Sequence, residues 1–178
     1  MKIDFKKLVK KRTVWEYVIP LLIIIGGIAI DQLTKWLAVK YLEPVNDVPI
    51  IEGVLHLHFH KNDGAAFGAF SGQPYIFNTL SVIIIIGMSF YLFAGHAGST
   101  LSSVASAMII SGGIGNMIDR VLFGEVTDFI YFKLIDFAIF NGADSFVCVG
   151  AGLLILSLIL EIVKEEREKR KNNDKSCS

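Results

Sequence analysis

Cysteine is scarce in this chain, with Cys148 inside an apolar run and Cys177 in a charged tail. A disulfide framework is therefore excluded, and neither thiol has the spacing of a metal-ligand pair. Charge is scarce too: Asp, Glu, Lys and Arg make up 19% of the residues, where an ordinary soluble domain carries roughly a quarter. The charges that exist are clustered, leaving long uncharged runs between them. No small-x-small cleavage site follows the first apolar run, which extends from Tyr17 to about Val39 and outlasts a signal-peptide core. The expectation is a retained span. The two halves show no convincing self-similarity, which argues against a transporter assembled from inverted repeats.

What is present is apolar. The chain has 178 residues, 53% of them hydrophobic, and a formal net charge of zero, with a mean hydropathy of +0.56. These values imply one integral membrane domain over residues 1–178 with no room for a second, soluble one. Segments 17–40, 74–95, 101–122 and 143–163 are long and apolar enough to cross a hydrocarbon core, which takes about 20 helical residues. The expected architecture is an all-α integral membrane fold, a four-transmembrane-helix bundle. Net neutrality hides an asymmetry: residues 1–16 are basic (Lys2, Lys6, Lys7, Lys10, Lys11, Arg12), and the tail 164–178 adds Lys164, Arg167, Lys169, Arg170, Lys171 and Lys175. The positive-inside rule puts both ends in the cytoplasm and the connections 41–73 and 123–142 outside. Glu161, Glu165, Glu166 and Glu168 interrupt the basic tail, which excludes a nucleic-acid patch.

In the first outer connection, Leu55, Leu57 and Phe59 alternate with His56, His58 and His60, the period-two signature of a half-buried strand. Three histidines on one strand face invite a zinc site. No HExxH helix or cysteine pair accompanies them, so a solvated strand face is favoured. Asn62-Asp63-Gly64 signals a turn. The small residues Ala65, Ala66 and Gly68 after it permit close backbone approach, and Phe67 and Phe70 are expected as interfacial anchors.

Polar groups near hydrocarbon are costly unless they pair or work. Asp31 lies roughly 13 Å from the outer end of the first span if the helix is regular, with Lys35 at i+4 as an ion-pair partner. The third span is rich in small residues suited to close helix packing (Ser102 to Gly115). It ends in Asn116, Asp119 and Arg120, at i, i+3 and i+4. Asp128 follows on a short strand, and Asn141 and Asp144 open the fourth span, where each would serve as a helix cap. Gly150 and Gly152 are expected to face a close neighbour. In a bundle, Asp128 and Asp144 reach a similar depth at the outer boundary. Two adjacent carboxyls do not both ionise easily, and a pair sharing one proton can activate water and protonate a leaving amine. From the residues alone, ion pairing and capping compete with this catalytic reading. So do a zinc hydrolase, a proton-coupled transporter and a structural adaptor.

The runs Asp31-Gln32-Leu33-Thr34-Lys35, Asn62 to Gly68, Gly112 to Arg120, Val126-Thr127-Asp128-Phe129 and Phe140 to Ser145 resemble those of the lipoprotein signal peptidases, also called type II signal peptidases. Each block is weak alone; five in the family's order are specific. The resemblance implies a bacterial inner-membrane aspartic endopeptidase, the target of the cyclic peptide antibiotic globomycin. Such an enzyme cuts the signal peptide from a prolipoprotein just before a diacylglyceryl-modified cysteine. It further implies Asp128 and Asp144 as the catalytic pair, and Asn62, Asn116, Arg120 and Asn141 as substrate-binding or dyad-supporting groups. Asp31 and Asp119 become structural polar residues, connection 41–73 forms a small extracytoplasmic β-sheet and connection 123–142 an interfacial lid segment, and no metal or other cofactor is required. The implied partners are diacylglyceryl-modified prolipoproteins and membrane lipid, with no nucleic acid, and the chain is expected to be monomeric. Asp63, Thr127 and Gly142 depart from the family's usual residues. Thr127 is placed to donate a hydrogen bond to Asp128, and Gly142 to loosen the approach to Asp144.

Overall fold

The computed structural model describes residues 13–64 and 74–176. The basic start, the segment Ala65, Ala66, Phe67, Gly68 and Phe70, and Cys177 lie outside the described residues. Helix α1 (Trp15–Leu37) runs on through a π-helical turn (Ala38–Leu42) into strands β1 (Asp47–Ile51) and β2 (Leu55–Asn62). Helices α2 (Pro74–Phe93) and α3 (Thr100–Phe123) follow, then β3 (Val126–Tyr131), a 3-10 turn (Lys133–Ile135) and the long helix α4 (Gly142–Ser176).

Three helical stretches among the described residues are long and apolar enough to cross a membrane: Trp15–Leu42, Thr100–Phe123 and Gly142–Asn173. The described apolar part of α2, Asn78–Phe93, is shorter. The protein is thus mostly helical with a small sheet. Helix α4 does not stop where the apolar run stops. It continues through the charged segment expected as a separate tail, whose Glu, Lys and Arg residues are good helix formers.

Helix α3 is the hub. Serine and alanine positions along it are buried (Ser102, Ala105, Ser106, Ala107, Ser111), so α1, α2 and α4 all pack against it. A methyl group on Gly112 would collide with the carbonyl oxygen of Ala143, and one on Gly150 would sit 2.9 Å from the carbonyl of Ala105. Close helix approach of this kind supplies packing where lipid offers no hydrophobic driving force. Gly152, by contrast, faces open space, so the expectation holds for Gly150 alone. Ser99 and Ser102 close a reciprocal capping box at the start of α3, and Gly124, at φ +81°, ends it. The outward faces carry exposed Leu22, Ile25, Ile83, Ile86, Ile155 and Ile159, the inverse of a soluble protein.

The sheet has the order β1-β2-β3, antiparallel throughout. Between Leu57 and His60 the pairing of β2 with β3 slips: Leu57 pairs with Ile130 and His60 with Asp128. The extra residue is a bulge, which turns the later part of β2 over relative to the earlier part. His56, opposite Tyr131, and His60, opposite Asp128, therefore lie on opposite faces. The expectation of three histidines sharing one solvated face is corrected. His56 is buried, and the Asp47 carboxylate holds the Nδ1 atoms of both His56 (2.8 Å) and His58 (3.1 Å).

Candidate active site

Three elements converge at the C-terminal end of α3. Strand β3 carries Asp128, antiparallel to β2, where Asn62 lies opposite Val126 and so diagonal to Asp128 on the same face. Its Nδ2 donates to Asp128 Oδ2 at 2.8 Å, while Oδ1 accepts from the Gly64 N–H at 3.0 Å, completing the expected turn. Asn141 caps α4: its Oδ1 accepts from the Asp144 N–H (3.0 Å), and Asp144 Oδ2 accepts from the Asn141 N–H (3.1 Å). This reciprocal capping box fixes the Asp144 backbone and side chain together. The capping role expected of these residues and a site role coincide.

Asn141 Nδ2 points the other way, to Asp128 Oδ1 at 2.6 Å and Asn116 Oδ1 at 3.0 Å. Asn116, one helical turn before Arg120 on α3, donates through Nδ2 to Asp144 Oδ1 at 2.7 Å. Two asparagines thus link two carboxylates that come from different elements. Asp128 is 1% exposed, and its pKa is pushed up to about 7 by burial and by the Asp144 charge, against hydrogen bonds from Asn62 and Asn141.

Both carboxylates line a cavity of about 520 Å³, walled by Asn62, Asn116, Arg120, Val126, the segment Phe137 to Phe140, Ser145, Cys148 and Val149. A second cleft of about 220 Å³ lies between α2 (Ser81, Ile84) and α4 (Val147, Cys148) and shares Asn116, Arg120 and Asp144 with the first. Arg120 is half-buried and borders both spaces, with no ion pair among the described residues.

Asp31 and Asp119 sit behind this cavity. Lys35 Nζ lies 2.8 Å from Asp31 Oδ2 and 3.1 Å from Asp119 Oδ2. Gln32 Nε2 bridges Asp31, Asp119 and the Gly115 carbonyl. Asp31 Oδ1 accepts from the Ala143 N–H (2.8 Å), and Asp119 Oδ2 from the Thr127 N–H (3.2 Å), so each ties α1 or α3 to the element that carries one of the two carboxylates. Two expectations are corrected. The Thr127 hydroxyl accepts from Lys61 (3.2 Å) on the far face of the strand, and Gly142 lies against Asp31 and Thr34, away from the cavity. Sequence reasoning missed Gln32 and the linking role of Lys35. The i, i+4 spacing with Asp31 signalled a pair and not a three-way contact. Among the described residues no cluster of His, Cys, Asp and Glu is arranged to hold a metal ion.

A family model described as "Signal peptidase (SPase) II" matches residues 23–160. The chain belongs to the signal peptidase II family. It is similar to the lipoprotein signal peptidase of Halalkalibacterium halodurans, 41% identical over 155 residues, covering 86% of this chain and 97% of that protein. The Bacillus subtilis lipoprotein signal peptidase is also 41% identical, covering 86% of this chain and 98% of its own length. A solved structure of a bacterial membrane enzyme superposes with a TM-score of 0.76 at 32% identity, covering 86% of this chain and 93% of the other. This signal peptidase is therefore a membrane-embedded peptidase of bacterial type, and the cavity just described lies within the matched region.

Proposed function

We propose that the peptidase is an aspartic endopeptidase in which Asp128 and Asp144 share one proton and direct water onto the scissile carbonyl. The reaction is that of its family, removal of the signal peptide from prolipoproteins. The observation that carries the aspartic reading is the pair of carboxylates bordering one cavity, each fed by amide donors from Asn116 or Asn141. The member that keeps its proton polarises the carbonyl, and its ionised partner takes a proton from water. That proton then passes to the leaving amine. Asp128, pushed up to about 7, suits the protonated role. Asn62, Asn116, Arg120 and Asn141 support the dyad or orient the extended peptide, since positioning supplies much of such a barrier reduction.

Cleavage falls on the N-terminal side of a diacylglyceryl-modified cysteine. The apolar character of Phe137, Phe140, Cys148 and Val149 supports an acylated substrate, as does the cleft between α2 and α4. The segment from Phe132 to Phe137 forms the lid. Exposed Leu134 and Ile135, 70% each, support its lying on the membrane surface. Helix α2 makes the fourth crossing of a single membrane domain. Both termini are cytoplasmic, the site lies near the outer leaflet, and one monomer supplies every group named. The test is a gel-shift assay of purified protein on a diacylglyceryl-modified precursor. Cleavage that survives strong chelation and stops with globomycin is expected. Cleavage abolished by chelation, or equal cleavage of the unlipidated precursor, contradicts the reading.

A further inference from the structure

Lys35 is 3% exposed, and its ammonium makes three contacts: Asp31 at 2.8 Å, Asp119 at 3.1 Å and Asn116 Oδ1 at 2.9 Å. An ammonium has donors and no acceptor. Whichever end of the Asn116 amide faces it must be the oxygen, so the amide NH2 is turned to Asp144, at 2.7 Å. The same oxygen then accepts from Asn141 Nδ2. That sets the second amide, whose NH2 also serves Asp128 Oδ1 and whose oxygen is left for the Asp144 N–H. One buried cation thus dictates the polarity of both asparagines.

We propose that Lys35 is a positioning residue for peptide hydrolysis: held by Asp31 and Asp119, it locks the Asn116 and Asn141 amides so that each offers N–H to a dyad carboxylate. The proposal rests on Asp128 and Asp144 being that dyad. A neutral residue at 35 leaves Asn116 free to turn over, presenting its oxygen to the Asp144 carboxylate and breaking the relay. Gln32 does not substitute, because its amide is engaged with Asp31, Asp119 and the Gly115 carbonyl. Arg120 lies on the cavity side and makes no ion pair here among the described residues.

The experiment is steady-state cleavage of a diacylglyceryl-modified precursor by purified Lys35→Met, with Asp128→Asn alongside and thermal unfolding in detergent for every variant. Lys35→Met is expected to fold, to keep KM within about threefold and to lose roughly 100-fold in kcat, the scale of a small misplacement of catalytic groups. In an Asn116→Ala background the same substitution should cost little more, since its effect travels through Asn116. If the unpaired Asp31 and Asp119 prevent folding, the triple variant Asp31→Asn/Lys35→Met/Asp119→Asn leaves no uncompensated charge and is expected to show the same kcat loss. A folded variant with parental kcat, a loss confined to KM, full additivity with Asn116→Ala, or failure of both variants to fold would each overturn the proposal. Activity in Asp128→Asn would instead remove the dyad reading beneath it.

Discussion

Burial and the neighbouring Asp144 charge raise the Asp128 pKa to about 7, while the N–H groups of Asn62 and Asn141 favour its ionised form and work against them. A carboxyl needed in its protonated form therefore loses activity as pH rises through about 7. In the Asn62→Ala variant one donor to the ionised form is gone, so the Asp128 pKa rises further. The descending limb of the kcat profile is expected to move to higher pH, on top of a general loss of rate. The check is the pH dependence of kcat on one lipidated precursor for both proteins; a limb that stays in place, or moves toward acid, contradicts the assignment of that limb to Asp128.

Among the elements, α3 and α4 fix the distance across which Asn116 reaches Asp144. Their close contact depends on Gly150, where an added Cβ meets the Ala105 carbonyl at 2.9 Å, and not on Gly152, where it meets nothing. Gly150→Leu is expected to lower the unfolding temperature in detergent, consistent with an overpacking cost of about 1–3 kcal/mol, and to reduce cleavage with it. Gly152→Leu should leave both unchanged. Equal behaviour of the two would contradict this packing. The small-residue stripe of α3 and the starts of the helices were legible in the sequence because apolar composition marks them, whereas the end of α4 was not, its charged extension being helical without being apolar. The β2 bulge was not, since period-two alternation continues through His56, His58 and His60 even though the pairing slips beneath it. Nor could spacing reveal that Asp31, Lys35 and Asp119 meet, because that contact depends on how α1 docks against α3. Asp128 and Asp144 were legible as candidates from charge near hydrocarbon, whereas the asparagine relay between them needed coordinates.

For the whole molecule, orientation and chemistry are linked. In the orientation proposed above, with basic ends inside and the sheet outside, the cavity sits where water meets lipid, as the proposed lipid-anchored substrate requires. A membrane-impermeant maleimide applied to intact cells is expected to label Glu52→Cys, on the sheet side, and to label Glu166→Cys, on the α4 extension, only after permeabilisation. Labelling of both from outside would contradict the four-crossing arrangement. The central claim is the carboxyl pair, and its most direct test is the cleavage rate of purified Asp128→Asn and Asp144→Asn on a diacylglyceryl-modified precursor. Both variants should insert and unfold like the parent yet fall to background cleavage, and parental activity in either one would contradict the account.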